Sequence, residues 1–285
     1  MTDKDTGPLV SIITPYRNSE HFLPGLAANL QAQTYPNWEC VLIDHRSRDH
    51  GPEIAIEVAR QDPRFQPIQE SDPRPLPALP RNTGIAQARG ELICFLDVDD
   101  LWHPSKLQRQ LLFHTSNNLE LSVTGYGRFR PDNAERIANN SPGRNAVVLP
   151  RRWITRHPPA SMSQRRLLWD NPIPMLTVML NKELLTCEAL AGGPFASIHH
   201  EDYLLWLSLW QQHPDLRYGC LDEVLAFHRR HESNLTGTRW RMLGWTYRVH
   251  RAHGASAASA ALRSARHGIV HLVRSASSLL FAYND

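Results

Sequence analysis

The chain has 285 residues, 41% of them hydrophobic and 21% charged, and its 31 basic and 28 acidic side chains leave a formal charge of +3. This composition excludes a disordered chain and gives no electrostatic case for nucleic-acid binding, while the length suits one large domain or a domain with an appendage. The N-terminal MTDKDTGP is polar and no stretch approaches the about 20 apolar residues of a spanning helix, so a cytoplasmic location is expected.

In chain order, LVSIIT (Leu9 to Thr14) reads as a strand stopped by Pro15, and EHFLPGLAANLQAQ follows with helical spacing of its apolar positions. WECVLID (Trp38 to Asp44) is a short apolar run ending in a carboxylate. PEIAIEVARQ then reads as a helix, FQPIQE as a short strand, RNTGIAQARGE as a helix and LICFLD as a strand. This alternation predicts βαβ units and an α/β fold with a mostly parallel, Rossmann-like sheet flanked by helices. Beyond about residue 130 the chain turns rich in proline and arginine, which predicts long loops; MLTVML, YGCLDEVLAFHRR and the helix EDYLLWLSLWQQ follow. Cys40, Cys94, Cys187 and Cys220 are far apart, lack C-x-x-C spacing and read as small core residues.

A helical region runs from about Gly244 to the end. Leu262, Ala265, Ile269, Leu272, Val273, Ala276, Leu279 and Leu280 form one stripe, and Arg263, His267, His271 and Arg274 mark another face. The stripe either packs on the domain or lies on an anionic membrane surface.

The chemistry concentrates at GELICFLDVDDLW. An apolar strand ending in Asp97, Val98, Asp99 and Asp100 places carboxylates at the carboxyl end of a sheet, where open α/β sheets bind ligands. Two carboxylates spaced i, i+2 repel unless a cation or donor group neutralises them, and Mg²⁺ or Mn²⁺ suits a site of one or two carboxylates completed by water and diphosphate oxygens. Asp100 also fits a helix cap for the stretch after His103. No glycine-rich phosphate loop follows the first strand, which disfavours dinucleotide-binding enzymes and P-loop NTPases.

Three segments, VSIITPYRNSEHFLPGLAANLQAQTYPNWECVLIDHRSRD, RNTGIAQARGELICFLDVDDLW, and HEDYLLWLSLW with LDEVLAFHRRHESNLT, resemble the family 2 glycosyltransferases of the GT-A fold. Within that family they are most similar to the bacterial surface-polysaccharide branch that includes teichuronic acid biosynthesis enzymes. The resemblance implies a GT-A domain over residues 1–240, with a nucleotide-sugar half at about 8–115 and an acceptor half at about 116–240, followed by a helical extension at 241–285. It implies a metal-dependent, inverting transfer from a nucleoside-diphosphate sugar, with a UDP-sugar expected, to a hydroxyl of a glycan or lipid-linked acceptor. Thr14, Pro15, Tyr16, Asp44, Arg81, Asn82, Asp97 and Val98 are then donor-binding, and Asp99 and His231 are metal ligands. Asp202 is the catalytic base with Glu201 as companion, and Trp102 lines the acceptor cleft. A lipid-linked acceptor adds a peripheral contact with the inner face of the plasma membrane through the last helix.

Two features depart from the family pattern. IDHRS stands where the family has D-D-G-S, so that Arg46 occupies the glycine position, and PRPLPALPRN is unusually rich in proline. The first departure leaves a catalytically silent scaffold as an alternative, and a nucleotidyltransferase on a related fold is another.

Overall fold

The computed structural model describes residues 7–70, 78–130, 134–137, 147–150, 153–185, 193–230 and 239–280. Its first third is a βα succession: β1 (Val10–Tyr16), α1 (Leu23–Gln31), β2 (Trp38–Asp44), α2 (Gly51–Gln61), β3 (Phe65–Gln69), α3 (Ala78–Gln87) and β4 (Leu92–Phe95). Then come β5 (Leu101–Trp102), α4 (Lys106–Ser116), β6 (Leu121–Phe129), the hairpin of β7 (Ala134–Ile137) and β8 (Val147–Pro150), β9 (Ile154–Arg156), α5 (Gln164–Leu167) and β10 (Met179–Asn181). The chain closes with α6 (Glu201–Gln212), β11 (Tyr218–Arg229), α7 (Arg239–Ala252) and α8 (Ala257–Leu280).

Among the described residues, the main sheet runs β3-β2-β1-β4-β10-β6-β11-β5, with β9 paired to β6. The nucleotide half, β3-β2-β1-β4, is parallel throughout, as the βα alternation requires. β10 enters antiparallel on both sides, and β11 returns parallel to β6. Successive side chains alternate between the sheet's two faces. Val10, Ile12, Cys40, Leu42, Leu92 and Cys94 pack toward α1 and α2, whereas Ile13, Val41, Ile43, Ile93 and Phe95 pack with Tyr203, Trp206 and Trp210 of α6. Burial on both faces explains why these strands read as nearly unbroken apolar runs.

The chain leaves β1 toward β2 and β3, then returns to place β4 on β1's other side. The carboxyl ends of β1 and β4 therefore flank a topological switch point, where such sheets open a crevice.

Pro15 does not stop β1. It lies opposite Ile43 inside the strand, which runs on to Tyr16. The Leu9 and Ile13 carbonyls accept from Leu92 and Leu96 of the β4 segment, so Pro15 turns its absent N–H to that side, beyond Phe95, where the β1–β4 pairing has ended. MLTVML divides into a 3₁₀ turn at Met175–Thr177 and the strand β10.

The amphipathic reading of α8 changes in orientation. Over its described side chains it buries Ala260, Ser264 and His267, and leaves Leu262 and Ile269 65% and 60% exposed. His267 stacks on Tyr203 of α6 with ring centroids 5.7 Å apart, and Gly268 lets Leu243 of α7 approach closely. The apolar stripe thus faces outward where it is described; Leu272 and the stripe residues beyond it are not among the described side chains. α7 contributes Val249 to the core beneath α6. No described helix is long and apolar enough to cross a membrane.

Candidate active site

β4 ends at Phe95, and residues 97 to 100 form a turn closed by the Asp100 N–H donating to the Asp97 carbonyl at 3.0 Å. The turn projects Asp97, Val98 and Asp99, all partly exposed, from the switch point and folds Asp100 inward. Asp100 is not a helix cap. Its carboxylate is 2% exposed, accepts the Arg229 N–H at 2.8 Å and lies 3.2 Å from His228 Nδ1. Burial pushes Asp100 up to about 6 against the pull of His228, and Asp100 in turn outweighs burial to raise His228. The Arg229 guanidinium donates to the Asp99 carbonyl at 2.7 Å and lies over Phe129. Arg229, which sequence reading did not single out, thus braces the acidic turn from behind; an arginine pair at a strand end was the only signal for it.

α3 carries Arg81 and Asn82 beneath the same turn. Arg81 is nearly buried, donates from Nη2 to Asp97 Oδ1 at 2.8 Å, and donates from Nη1 to Glu201 Oε1 in a very short contact. Burial opposes its charge, but Asp97, Glu201 and Asp202 together hold it charged more firmly than usual. Glu201 opens α6 and is also buried, and burial lifts its carboxyl to about 7 while Arg81 opposes the rise. One guanidinium thereby joins the acidic turn of the donor half to the helix carrying Asp202. Asp202 is half-buried; its Oδ1 accepts the Tyr203 N–H at 2.7 Å, and Oδ2 accepts from Asn171 at 3.2 Å. No sequence signal marked Asn171. His200, just before α6, sits at φ 60° with its neighbour His199 stacked on Trp245, so this entry is held in a conformation uncommon for a non-glycine residue.

The remaining donor-side residues divide. Asp44 ends β2, is 4% exposed, and accepts the Ser47 N–H at 3.0 Å. Arg46 takes φ 60° in this turn, so the glycine-like backbone persists although an arginine stands there. Tyr16 is buried beside Asp44, and burial together with the charges of Asp44, Asp49 and Glu53 raises its phenol. Pro15 is partly exposed, but Thr14 is fully buried with its hydroxyl facing the Cys40 thiol, so the expected approach of Thr14 to a nucleotide is not met. Asn82 is occupied by protein: its amide donates to the Phe195 carbonyl at 2.8 Å and accepts the Phe195 N–H at 2.9 Å.

Trp102 also differs from expectation. It is 0% exposed, donates Nε1–H to the Leu176 carbonyl at 2.9 Å and carries the Lys106 ammonium 4.0 Å from its ring centroid. An indole so enclosed presents no face to an acceptor and instead supports the cleft from below. His231 and the proline-rich residues 71–77 lie outside the described residues.

The donor set fits a hard divalent cation that brings much of its own coordination shell. Asp97 and Asp99 present carboxylates on one partly exposed turn, a hard oxygen donor set of the kind such a cation takes.

The sequence profile described as "Glycosyl transferase family 2" matches residues 11–179, more than half of the chain. The chain is 30% identical over 235 residues, 82% of each protein, to the UDP-Glc:alpha-D-GlcNAc-diphosphoundecaprenol beta-1,3-glucosyltransferase WfgD of Escherichia coli. It is 27% identical over 245 residues, 86% of this chain and 88% of the other, to the putative teichuronic acid biosynthesis glycosyltransferase TuaG of Bacillus subtilis (strain 168). Among solved structures, S. aureus TarS 1-349 in complex with UDP-GlcNAc matches with a TM-score of 0.61 at 19% identity, covering 88% of this chain and 69% of that one. The mannosyltransferase PcManGT from Pyrobaculum calidifontis in complex with GDP-Man and Mn²⁺ matches with a TM-score of 0.60 at 16% identity, covering 96% and 81%. These last two establish the shared GT-A architecture. With the acidic turn at its switch point and the profile spanning the parallel half, the chain belongs to glycosyltransferase family 2.

Proposed function

We propose that this glycosyltransferase moves a sugar, with inversion, from a nucleoside-diphosphate sugar to a hydroxyl of a lipid-linked glycan acceptor during cell-surface polysaccharide synthesis. The observation that carries the reading is the Arg81 bridge, which gathers Asp97 and the α6 carboxylates from opposite halves of the chain around one cleft. The WfgD and TuaG likenesses support the polysaccharide context and, through WfgD's diphosphoundecaprenol-linked acceptor, the acceptor class. Ligands named in the matched structures support a nucleotide-sugar donor, with UDP-sugar the first choice. The enzyme then works in the cytoplasm at the inner face of the plasma membrane.

Asp44 and Tyr16, nearly buried at the ends of adjacent strands, form the floor under the nucleoside beside the partly exposed Pro15, and Asp97 lies toward the ribose and diphosphate. Asp99, with His231 as the expected second protein ligand, would hold a divalent cation, which would supply Lewis-acid stabilisation to the diphosphate leaving group. Asp202 takes the proton from the acceptor hydroxyl as that oxygen attacks the anomeric carbon, and Asn171 orients the carboxylate. Glu201 keeps Arg81 fixed beneath Asp97. A single base and a direct displacement invert the anomeric centre.

Product analysis with a panel of nucleoside-diphosphate sugars and Mn²⁺ tests this reading. Sugar transfer releases a nucleoside diphosphate, nucleotidyl transfer releases pyrophosphate, and a silent scaffold releases neither. Asp202→Asn should lower kcat by about 10²–10⁴-fold with donor affinity retained, the usual scale for removing a general base. Asp99→Ala should lose metal-dependent donor binding. Retention of full activity by both variants would refute the assignment.

A further inference from the structure

A cavity of about 500 Å³ lies between α5 and α8 and is lined by Ser163, Arg165, Arg166, Trp169, Asp170, Arg266 and Val270. Its charge is lopsided, with three guanidiniums facing one carboxylate. Arg165, Arg166 and Arg266 are exposed, and none makes a carboxylate ion pair among the described residues; Arg266 instead lies over Trp169, 4.5 Å from the ring centroid. Guanidiniums match phosphate oxygens with paired N–H donors, so arginines that line one cavity and make no carboxylate ion pair among the described residues are suited to a phosphate or diphosphate.

The cavity is tied to the candidate base through Tyr203. The Tyr203 hydroxyl donates to the Leu167 carbonyl of α5, its ring stacks on His267 of α8, and it directly follows Asp202. Two residues beyond Trp169, Asn171 bonds Asp202 itself. A phosphate held by these arginines would rest on α5 and α8, the two elements against which Tyr203 packs, and outside the Asp97–Asp99 turn.

Beside the arginines, the ligand would meet an apolar surface. On α8, Leu262, Arg266 and Ile269 are spaced i, i+4, i+7 on one face, and both apolar members are exposed. A solvated helix ordinarily turns such residues inward; here small residues and a histidine take the buried face. Cation and hydrocarbon side by side suit an amphiphile with an anionic head.

We infer that the α5–α8 cavity is the subsite for the diphosphate of a polyprenyl-linked acceptor, with Arg165, Arg166 and Arg266 on the phosphates and Leu262 and Ile269 against the start of the lipid chain. This rests on the lipid-linked acceptor reading above and gives it a place.

The test is calorimetric titration of the full chain, saturated with UDP and Mn²⁺ to fill the donor site, with farnesyl diphosphate, with inorganic pyrophosphate, and with phosphatidylglycerol vesicles. Farnesyl diphosphate should bind, and more tightly than pyrophosphate. Arg166→Ala/Arg266→Ala should weaken it at least tenfold, with UDP affinity and the thermal midpoint unchanged, and Ile269→Ser should close the gap between the prenyl and inorganic ligands. Loss of all farnesyl diphosphate binding on UDP saturation would overturn the inference, as would equal affinity in the double arginine variant. Arginine-dependent vesicle binding without farnesyl diphosphate binding would also overturn it, assigning the cavity to membrane headgroups. Farnesyl diphosphate binding in a protein that fails to bind UDP would sink the donor assignment and leave the cavity standing.

Discussion

The Arg81 guanidinium lies 2.8 Å from Asp97 while its other arm holds Glu201, so the donor turn and the base helix share one buried cation. Removing one member of such a group leaves charge without compensation in a region of low water access, which costs about 3–5 kcal/mol. Arg81→Met should lower stability on that scale and abolish turnover, and Arg81→Lys should recover only part of both because one ammonium cannot reproduce a forked contact. A double-mutant cycle with Glu201→Gln should give a clearly favourable coupling energy in denaturant titrations. Additive effects would mean that the bridge does not join the two halves.

The enclosure of Trp102 sets apart two roles for an aromatic residue beside an acidic turn. As a buried support, Trp102→Ala should cost about 3–5 kcal/mol, the range for emptying a large aromatic from a core. Trp102→Phe should cost less and leave the acceptor KM unchanged, since only the bond to the Leu176 carbonyl is lost. A selective rise in acceptor KM in the phenylalanine variant, without destabilisation, would restore the cleft-lining role.

Asn82 answers a similar question on the donor side. Both ends of its amide are taken by the Phe195 backbone, and that segment leads into α6. Asn82→Ala leaves a backbone N–H and a carbonyl unserved, worth roughly 1–3 kcal/mol each where water cannot reach them. Because the clamp positions the base helix, kcat should fall while the Kd for UDP stays within twofold. A large rise in that Kd with kcat preserved would instead make Asn82 a direct donor contact.

How far the sequence discloses this molecule depends on whether a feature is local. β2 and α6 are bounded in the sequence as they are in the structure, because continuous burial and an acidic first turn are properties of the segments themselves. The carboxylates after β4 are legible for the same reason. Pro15 misleads because its missing N–H matters only if an acceptor faces it, which depends on how far β4 extends. Asp100 looks like a helix cap until β11 brings His228 and the Arg229 amide to it. α8 shows most clearly that periodicity identifies an apolar stripe but not what it faces. The small side chains at Ala260 and Ser264, with His267 against Tyr203, decide which face packs. Nothing local marks Asn171 or Arg229, because their roles lie entirely in partners far along the chain.

The same helix packing makes stability depend on pH. His250 of α7 is 0% exposed, sits edge-on to Tyr203, and finds no hydrogen-bond partner for either ring nitrogen among the described residues. Burial first, then the charges of Arg263, His267 and His253, push it down to about 4; burial also lowers His253. In the unfolded chain an imidazole takes up its proton near pH 6.5. Between that pH and about 4, the unfolded state holds more protons than the folded one, so acidification draws the equilibrium toward unfolding. The His250 contribution should therefore be level above about pH 7, fall as pH drops from 6.5 toward 4, and flatten below the folded value, a loss on the order of 3 kcal/mol that the raised carboxyls of Asp100 and Glu201 offset in part. His250→Phe has no proton to take up and should flatten much of that slope in thermal melts followed from pH 7.5 to 4.5. A variant whose melting temperature tracks pH as steeply as the parent would remove His250 from the account and move the acid sensitivity to other groups.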